Sequence, residues 1–250
     1  MVDYSDLKIH LSGDIDCHIF DTIPSTNDYL SALVFSPKTQ VCVSTRQTQG
    51  KGQHNRQWYS DKNSSILLSI RRIFPADVNL SGLSLVIGLA LIEVLDMPDL
   101  KLKWPNDVYY QDKKLAGILI ENSLQNQTQS VVIGIGLNID VNIGCQTLWT
   151  DLHTISKTPI NQLELTKSLI DKILQFCQIF EIKGFEYFTQ KWANVDYLHG
   201  IEVQYDDKKQ IFSGLCYGVN KEGVLLVKTK DAIKQVYSSQ FLQVLHLPSR

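Results

Sequence analysis

A glycine-rich basic loop held between two strand-like runs does most to limit what this chain can become. Residues 45–60 set Gly50 and Gly52 around Lys51 and then add His54, Arg56 and Trp58. A short β-type run, 40–45, leads in. Residues 65–72 lead out, alternating Ile66, Leu68 and Ile70 with Leu67, Ser69 and Arg71 as a strand does. Glycines permit positive φ and let backbone N–H groups close on an anion, while Lys51 and Arg56 supply fixed charge. The plain reading is a loop that grips phosphate. Trp58 gives it an apolar face able to stack on a base or pack over the closed loop. By itself such a loop is more readily a solvated surface turn, so the rest of the chain has to decide.

The 250 residues suffice for one large domain, or a large and a small one, around a real core. A formal net charge of -2 argues against binding nucleic acid through general electrostatics. Cys17, Cys42, Cys145, Cys177 and Cys216 are odd in number and widely spread, which reads as reduced, buried thiols in a cytosolic protein. The histidines fall into no zinc-ligand spacing. Asp3, Asp6, Lys8, His10, Asp14 and Asp16 interrupt the N-terminus, so it has no signal-peptide hydrophobic region. The longest apolar run, 85–92, is too short to span a bilayer. The expected place is the cytoplasm, with no membrane contact, where the Asn-x-Ser/Thr matches at Asn63 and Asn126 mean little.

Ser25-Thr26-Asn27-Asp28 before Tyr29, Leu30, Leu33 and Val34 predicts a helix capped by Ser25 and ended by Pro37. Its N-terminus gathers small polar side chains and free N–H groups, suited to a carboxylate or a ureido group. Residues 80–95 are apolar on nearly every face and predict a core helix. Strands are expected at 100–104, 107–110, 114–121 and 130–139, then helices at 161–182 and 185–193. Strands in sequence with helices before and after give an α+β sheet covered on one face. After His199-Gly200, short strand-like runs at 201–205, 210–217, 224–228 and 233–237 predict a small β-barrel. The expected domains are 1–198 and 199–250.

Three further stretches carry polar chemistry. In Lys103-Trp104-Pro105-Asn106-Asp107, the proline fixes the backbone and aims Asn106 and Asp107 outward. Asp107 there could hold Mg²⁺, orient a ribose hydroxyl or position a nucleophile. Lys114 opens an otherwise buried strand, as a charge for a phosphate or an oxyanion or as a simple strand-end cap. Gly134 and Gly136 lie in a core strand ending at Asn138, marking close backbone approach beside a ligand. The third Rossmann glycine is absent, as is any P-loop, nucleophile elbow or zincin motif.

Taken in order, Ser25-Thr26-Asn27, Gln47 through Trp58, Lys103 through Asp107, Lys114 through Gly117 and Gly134-x-Gly136-x-Asn138 resemble the biotin protein ligases. The likeness runs from about Ile19 to the C-terminus. It implies a class II synthetase-like catalytic domain, a mixed sheet covered by helices, followed by an SH3-like barrel. It also implies a monofunctional type lacking the N-terminal DNA-binding domain, with no DNA binding. Biotin and ATP would react to biotinyl-5'-AMP, with Mg²⁺ bridging the triphosphate, and biotin would pass to a lysine of the biotin carboxyl carrier protein of acetyl-CoA carboxylase. The family's use of its central sheet also allows a homodimer.

Carried onto this chain, the resemblance gives biotin to Ser25, Thr26, Asn27, Gln47, Lys51, Gly52, Gln53 and Lys114. ATP falls to Gly50, Lys51, Arg56, Trp58, Asn106, Asp107, Lys114 and Asn138, with Trp58 and Asn138 on the adenine side. Catalysis falls to Lys114, Asp107, Lys51 and Arg56. Many members have Gly-Arg-Gly-Arg where this chain has Gly50-Lys51-Gly52-Gln53. Lys51 loses the bidentate fork and Gln53 loses the charge. Lipoate or octanoate attachment is the alternative within enzymes, and a non-catalytic biotin-sensing regulator the alternative outside them.

Overall fold

The protein is described by a computed structural model over residues 2–11, 13, 15–125, 127–141 and 148–246. Asn126 and Cys145 lie outside the described residues. In chain order, α1 (Leu7–His10) and β1 (Ile15–Ile23) precede α2 (Thr26–Ala32) and β2 (Thr39–Gln47). The basic loop is itself a hairpin, β3 (Gly50–Lys51) and β4 (Gln57–Trp58), joined by a 3₁₀ turn, Gln53–Asn55. Next come β5 (Ser65–Pro75), α3 (Leu83–Leu95), β6 (Leu100–Lys103), β7 (Asp107–Tyr110), β8 (Lys113–Gln125) and β9 (Thr128–Asn138). Helices α4 (Leu152–Ser156), α5 (Gln162–Lys183) and α6 (Thr189–Ala193) follow. The chain then forms β10 (Glu202–Asp206), β11 (Ile211–Val219), β12 (Leu225–Lys228), β13 (Ile233–Val236) and β14 (Leu242–His246).

Seven strands pair in the order β1-β2-β5-β9-β8-β7-β6; β1 and β2 are parallel and the other pairs antiparallel. Strand alternation sorts the side chains onto two faces. Ile66, Leu68 and Ile70 of β5, Ile118 of β8 and Ile133, Ile135 and Leu137 of β9 join the main core with α3 and α5. Each such fully buried aliphatic contributes about 1.5–3 kcal/mol. The opposite face carries two cross-strand rows, Cys42-Ser69-Gly134-Leu119 and Ser44-Leu67-Gly136-Gly117-Asp107. A sheet covered on one face would leave this side bare, but it is not. Helix α2 packs there, with Leu30 against Cys42 and Val132.

The five C-terminal strands form an antiparallel sheet in the order β13-β12-β11-β10-β14. It is tied to the main body where Trp104 Nε1 donates to the Gly223 carbonyl at 3.0 Å. Gly82 and Gly223, both at φ +80, meet back to back there; a Cβ on Gly223 would lie 2.8 Å from Gly82 Cα.

Several boundaries differ from expectation for identifiable reasons. Helix α2 stops at Ala32, where Leu33 turns extended, well before Pro37. Strand β1 gave no clear signal because Asp16, His18 and Asp21 interrupt its apolar residues, as suits a half-exposed edge strand. Among the described residues, no helix is long and apolar enough to cross a membrane.

Candidate active site

The N-terminus of α2 forms the floor of a polar pocket. Ser25 is extended (φ -154, ψ 130) and its Oγ accepts from the Asp28 N–H at 3.2 Å, which is the expected cap. The Thr26 N–H and Oγ1 both donate to Gln47 Oε1, at 2.7 and 3.0 Å. Ser69 Oγ lies 2.7 Å from Thr26 Oγ1 and 2.6 Å from Asn27 Oδ1, and its single proton serves one of them at a time. Asn27 Nδ2 donates to Glu121 Oε2 at 2.7 Å, which fixes the orientation of the amide. Gly134 makes this possible, since a methyl there would overlap Asn27 Oδ1. The close approach signalled by this glycine is therefore to the protein's own asparagine.

Trp58 closes the pocket from above. Hairpin β3–β4 turns the indole back onto the sheet until it is buried, and it lies over Gly117 and Gly136, which face each other in register. A Cβ at Gly117 would be 2.9 Å from Trp58 Cζ3, and one at Gly136 would be 2.5 Å from Cζ2. The ring stacks on Trp149 (centroids 5.8 Å apart, planes 15° apart), and Lys114 Nζ sits 5.4 Å from its centroid. Trp58 Nε1 is buried without a hydrogen-bond partner. Gly50 lets the hairpin close, because a side chain there would meet the Trp58 carbonyl at 2.5 Å.

Charge is distributed around this lid. Lys51 Nζ pairs with Asp28 Oδ1 at 2.5 Å, and that hydrogen bond raises the lysine's pKa. Lys114 Nζ pairs with Asp107 Oδ1 at 2.7 Å, with about four fifths of each side chain buried. Asn106 clamps β8: its carbonyl accepts the Ile118 N–H at 2.9 Å and its Nδ2 donates to the Ile118 carbonyl at 2.7 Å. Lys103 lies below, 4.9 Å from the Tyr109 ring centroid and 5.8 Å from that of Tyr197. Burial pushes its pKa down, opposed by Asp107 and reinforced by Lys114 and Arg56. Arg56 is exposed at the rim and, among the described residues, makes no ion pair.

Two cavities meet here. The inner one, with about 50 Å³ of free space, is lined by Ser25, Thr26, Asn27, Gln47 and Lys51 at its polar end. The outer cleft holds about 470 Å³ between the loop, Lys103 through Asp107 and β14, with Arg56 and Trp149 on its walls. Gly52, Gln53, Trp58, Asn106 and Lys114 line both, so Lys114 stands at the junction.

Most of the residues named from sequence thus come together. Gly50, which sits where the hairpin closes, lines neither cavity, and neither does Asn138. The asparagine is fully buried, its Nδ2 donating to the Thr150 carbonyl at 3.1 Å, so it braces the segment that carries Trp149. Sequence reasoning misses Ser69, Glu121 and Trp149. The signal for the first two is a polar residue on the non-core face of an apolar strand.

Burial pushes the Cys17 thiol up to about 11 and those of Cys42, Cys177 and Cys216 up to about 12, far from nucleophilic thiolates. Among the described residues, no group of three or more His, Cys, Asp or Glu side chains is arranged to hold a metal.

Comparison with known proteins gives a consistent result. The profile of the Biotin/lipoate A/B protein ligase family matches residues 19–138. The bifunctional ligase/repressor BirA of Escherichia coli is 31% identical over 226 residues, which is 86% of this chain and 70% of that protein. The biotin--[acetyl-CoA-carboxylase] ligase of Mycobacterium tuberculosis is 38% identical over 107 residues, 40% of this chain and 39% of that one. Among solved structures, the biotin protein ligase from Aquifex aeolicus in complex with biotin and ATP superposes with a TM-score of 0.79 at 28% identity. That match covers 92% of this chain and 99% of the other.

Proposed function

Since this chain belongs to the biotin protein ligases, within the biotin/lipoate A/B protein ligase family, we propose that it binds biotin and ATP in the two joined cavities and forms biotinyl-5'-AMP there. Biotin would then pass to a lysine of the biotin carboxyl carrier protein of acetyl-CoA carboxylase, in the cytoplasm. The observation that carries the reading is the position of Lys114, the cation at the junction of a polar-ended pocket and a larger cleft rimmed by Arg56.

In this reading the ureido ring lies on Ser25, Thr26, Asn27 and Gln47, whose buried polar atoms have no use for an apolar dithiolane. The valerate carboxylate comes to Lys114, which leaves Asp107 for it. A carboxylate oxygen attacks the α-phosphorus of ATP, the bond to the β-phosphate breaks, and pyrophosphate leaves. Lys51, Arg56 and Lys114 neutralise the oxygens that gain charge. Asp107, released from its ion pair, orients the incoming amine. The amine attacks the acyl carbonyl, the bond to AMP breaks, and the nitrogen loses a proton. Trp58 and Trp149 would keep water from the mixed anhydride, and the adenine would lie on the Trp58 side of the outer cleft.

Mg²⁺ would neutralise triphosphate charge when bound. No three-ligand cluster is found among the described residues, so the phosphates themselves would carry the ion, and Asp107, the carboxylate lining the outer cleft, would be the side chain to reach it. The division into a catalytic unit, 1–198, and an SH3-like unit, 199–250, belongs to the same proposal and is supported by the two separate sheets.

The test is biotin-dependent exchange of labelled pyrophosphate into ATP, with Lys114→Ala alongside. Exchange that requires biotin and falls about a hundredfold or more in the variant is expected. Its absence from folded protein would overturn the reading.

A further inference from the structure

Arg71 has only 3% of its surface exposed, and among the described residues it has no carboxylate partner. Its counter-charge is the end of a helix. Nη1 donates to the carbonyls of Leu30 at 2.7 Å and Leu33 at 2.8 Å, and Nη2 donates to that of Val34 at 2.7 Å. The Leu30 carbonyl belongs to the last turn of α2, where it also accepts the Leu33 N–H at 3.3 Å, and those of Leu33 and Val34 belong to the extended segment just past the helix end, where the helix dipole is negative. Nε is buried with no partner, so the guanidinium is not fully satisfied even so. An apolar side chain of similar volume would fill the site without stripping water from a charge. The arginine is there for what it holds.

What it holds needs holding. Helix α2 has seven residues and no basic residue in its last turn, and a two-turn helix does not persist by itself. Ser69 and Arg71 are two residues apart on β5 and so share a face. Ser69 grips the N-terminal end of α2 through Thr26 and Asn27, and Arg71 grips the C-terminal end. One strand therefore clamps both ends of the helix whose first turn is the floor of the inner pocket. Arg71 itself lines neither cavity.

We infer that Arg71 is a positioning residue for biotin: by fixing the far end of α2 on β5, it sets the depth and tilt at which Thr26 and Asn27 meet Gln47 and the ligand. The inference rests on the reading that these residues receive the ureido ring. The ATP side stands mainly on β4, β7 and β8, which Arg71 does not touch, and its link to α2 is the half-exposed Lys51–Asp28 pair, so the effect falls chiefly on biotin.

The experiment is calorimetric titration of biotin into the full chain and its Arg71→Met, Arg71→Lys and Thr26→Val variants, with KM for ATP and kcat from pyrophosphate exchange at saturating biotin. Arg71→Met raises the biotin Kd about tenfold or more and leaves KM for ATP and kcat within about twofold. Arg71→Lys keeps the charge without the fork and falls between. If the Arg71→Met protein does not fold, Arg71→Lys decides, and its biotin Kd must then rise by about threefold or more. If both Arg71 variants bind biotin normally while Thr26→Val binds it weakly, the Arg71 proposal is overturned and the ureido reading stands. If Thr26→Val also binds normally, both fall.

Discussion

Replacing Gly136 with alanine puts the argument about the lid to its sharpest test. The added Cβ would lie 2.5 Å from Trp58 Cζ2 and 2.8 Å from Nε1, whereas ordinary contact begins at 3.4 Å. The indole must retreat by about 1 Å, and it has nowhere nearby to go. Gly117 lies under another edge of the same ring face, and Trp149 is stacked on the indole. Overpacking of this kind costs about 1–3 kcal/mol, taken either from stability or from the seating of hairpin β3–β4. That hairpin carries Lys51, and the turn beside it leads to Arg56, so a displaced ring displaces the cations. A shift of about 1 Å in positioned groups lowers a rate by roughly a hundredfold. We expect kcat/KM for pyrophosphate exchange to fall by about ten- to a hundredfold, with tryptophan emission shifting red as the ring gains water. The decisive control is the pair with Trp58→Ala, in which Gly136→Ala should cost little further, a coupling of about 1–3 kcal/mol. Unchanged exchange in the single variant, or an equal loss with and without the indole, would refute the reasoning.

Two other substitutions probe the charges. Gln53 lines both cavities, so Gln53→Arg brings a guanidinium to the junction; release of biotinyl-5'-AMP in the absence of carrier should slow about tenfold, the worth of one charge-assisted hydrogen bond. An unchanged release rate in a single-turnover trap would count against it. For Lys103, burial holds the folded-state pKa below the ordinary 10.5. The charged form is therefore a cost to the fold at neutral pH, and that cost disappears as pH rises through the folded pKa toward 10.5. Lys103→Met should raise Tm at pH 7 by about 2–4 °C, from about 1 kcal/mol, and by less near pH 10. A gain that does not change with pH would mean the desolvation argument is wrong.

The sequence carried the long elements and the motifs but not the geometry that joins them. Core helix α3 and strands β5 and β9 are readable because each buries an unbroken apolar face, and burial imposes periodicity on sequence. Strand β1 and helix α4 were not, since one is an edge strand broken by charge and the other spans only five residues. Residues in the site followed the same division. Ser25 was legible because capping is local, decided by a donor three residues on. Ser69, Glu121 and Arg71 were not, because their partners lie 42, 94 and 41 residues away.

The glycines show the limit most clearly. In the sequence, Gly134 and Gly136 announce that something comes close to β9, with a ligand as the natural inference, and the structure adds Gly117 on β8. The structure fills that space with Asn27 and Trp58. Each of these side chains is in turn polarised by a charged group, Glu121 for the amide and Lys114 for the indole. A glycine in a strand encodes the room but not the occupant. Here the room is taken first by Asn27 and Trp58, and the same three glycines also line the inner pocket that these side chains shape.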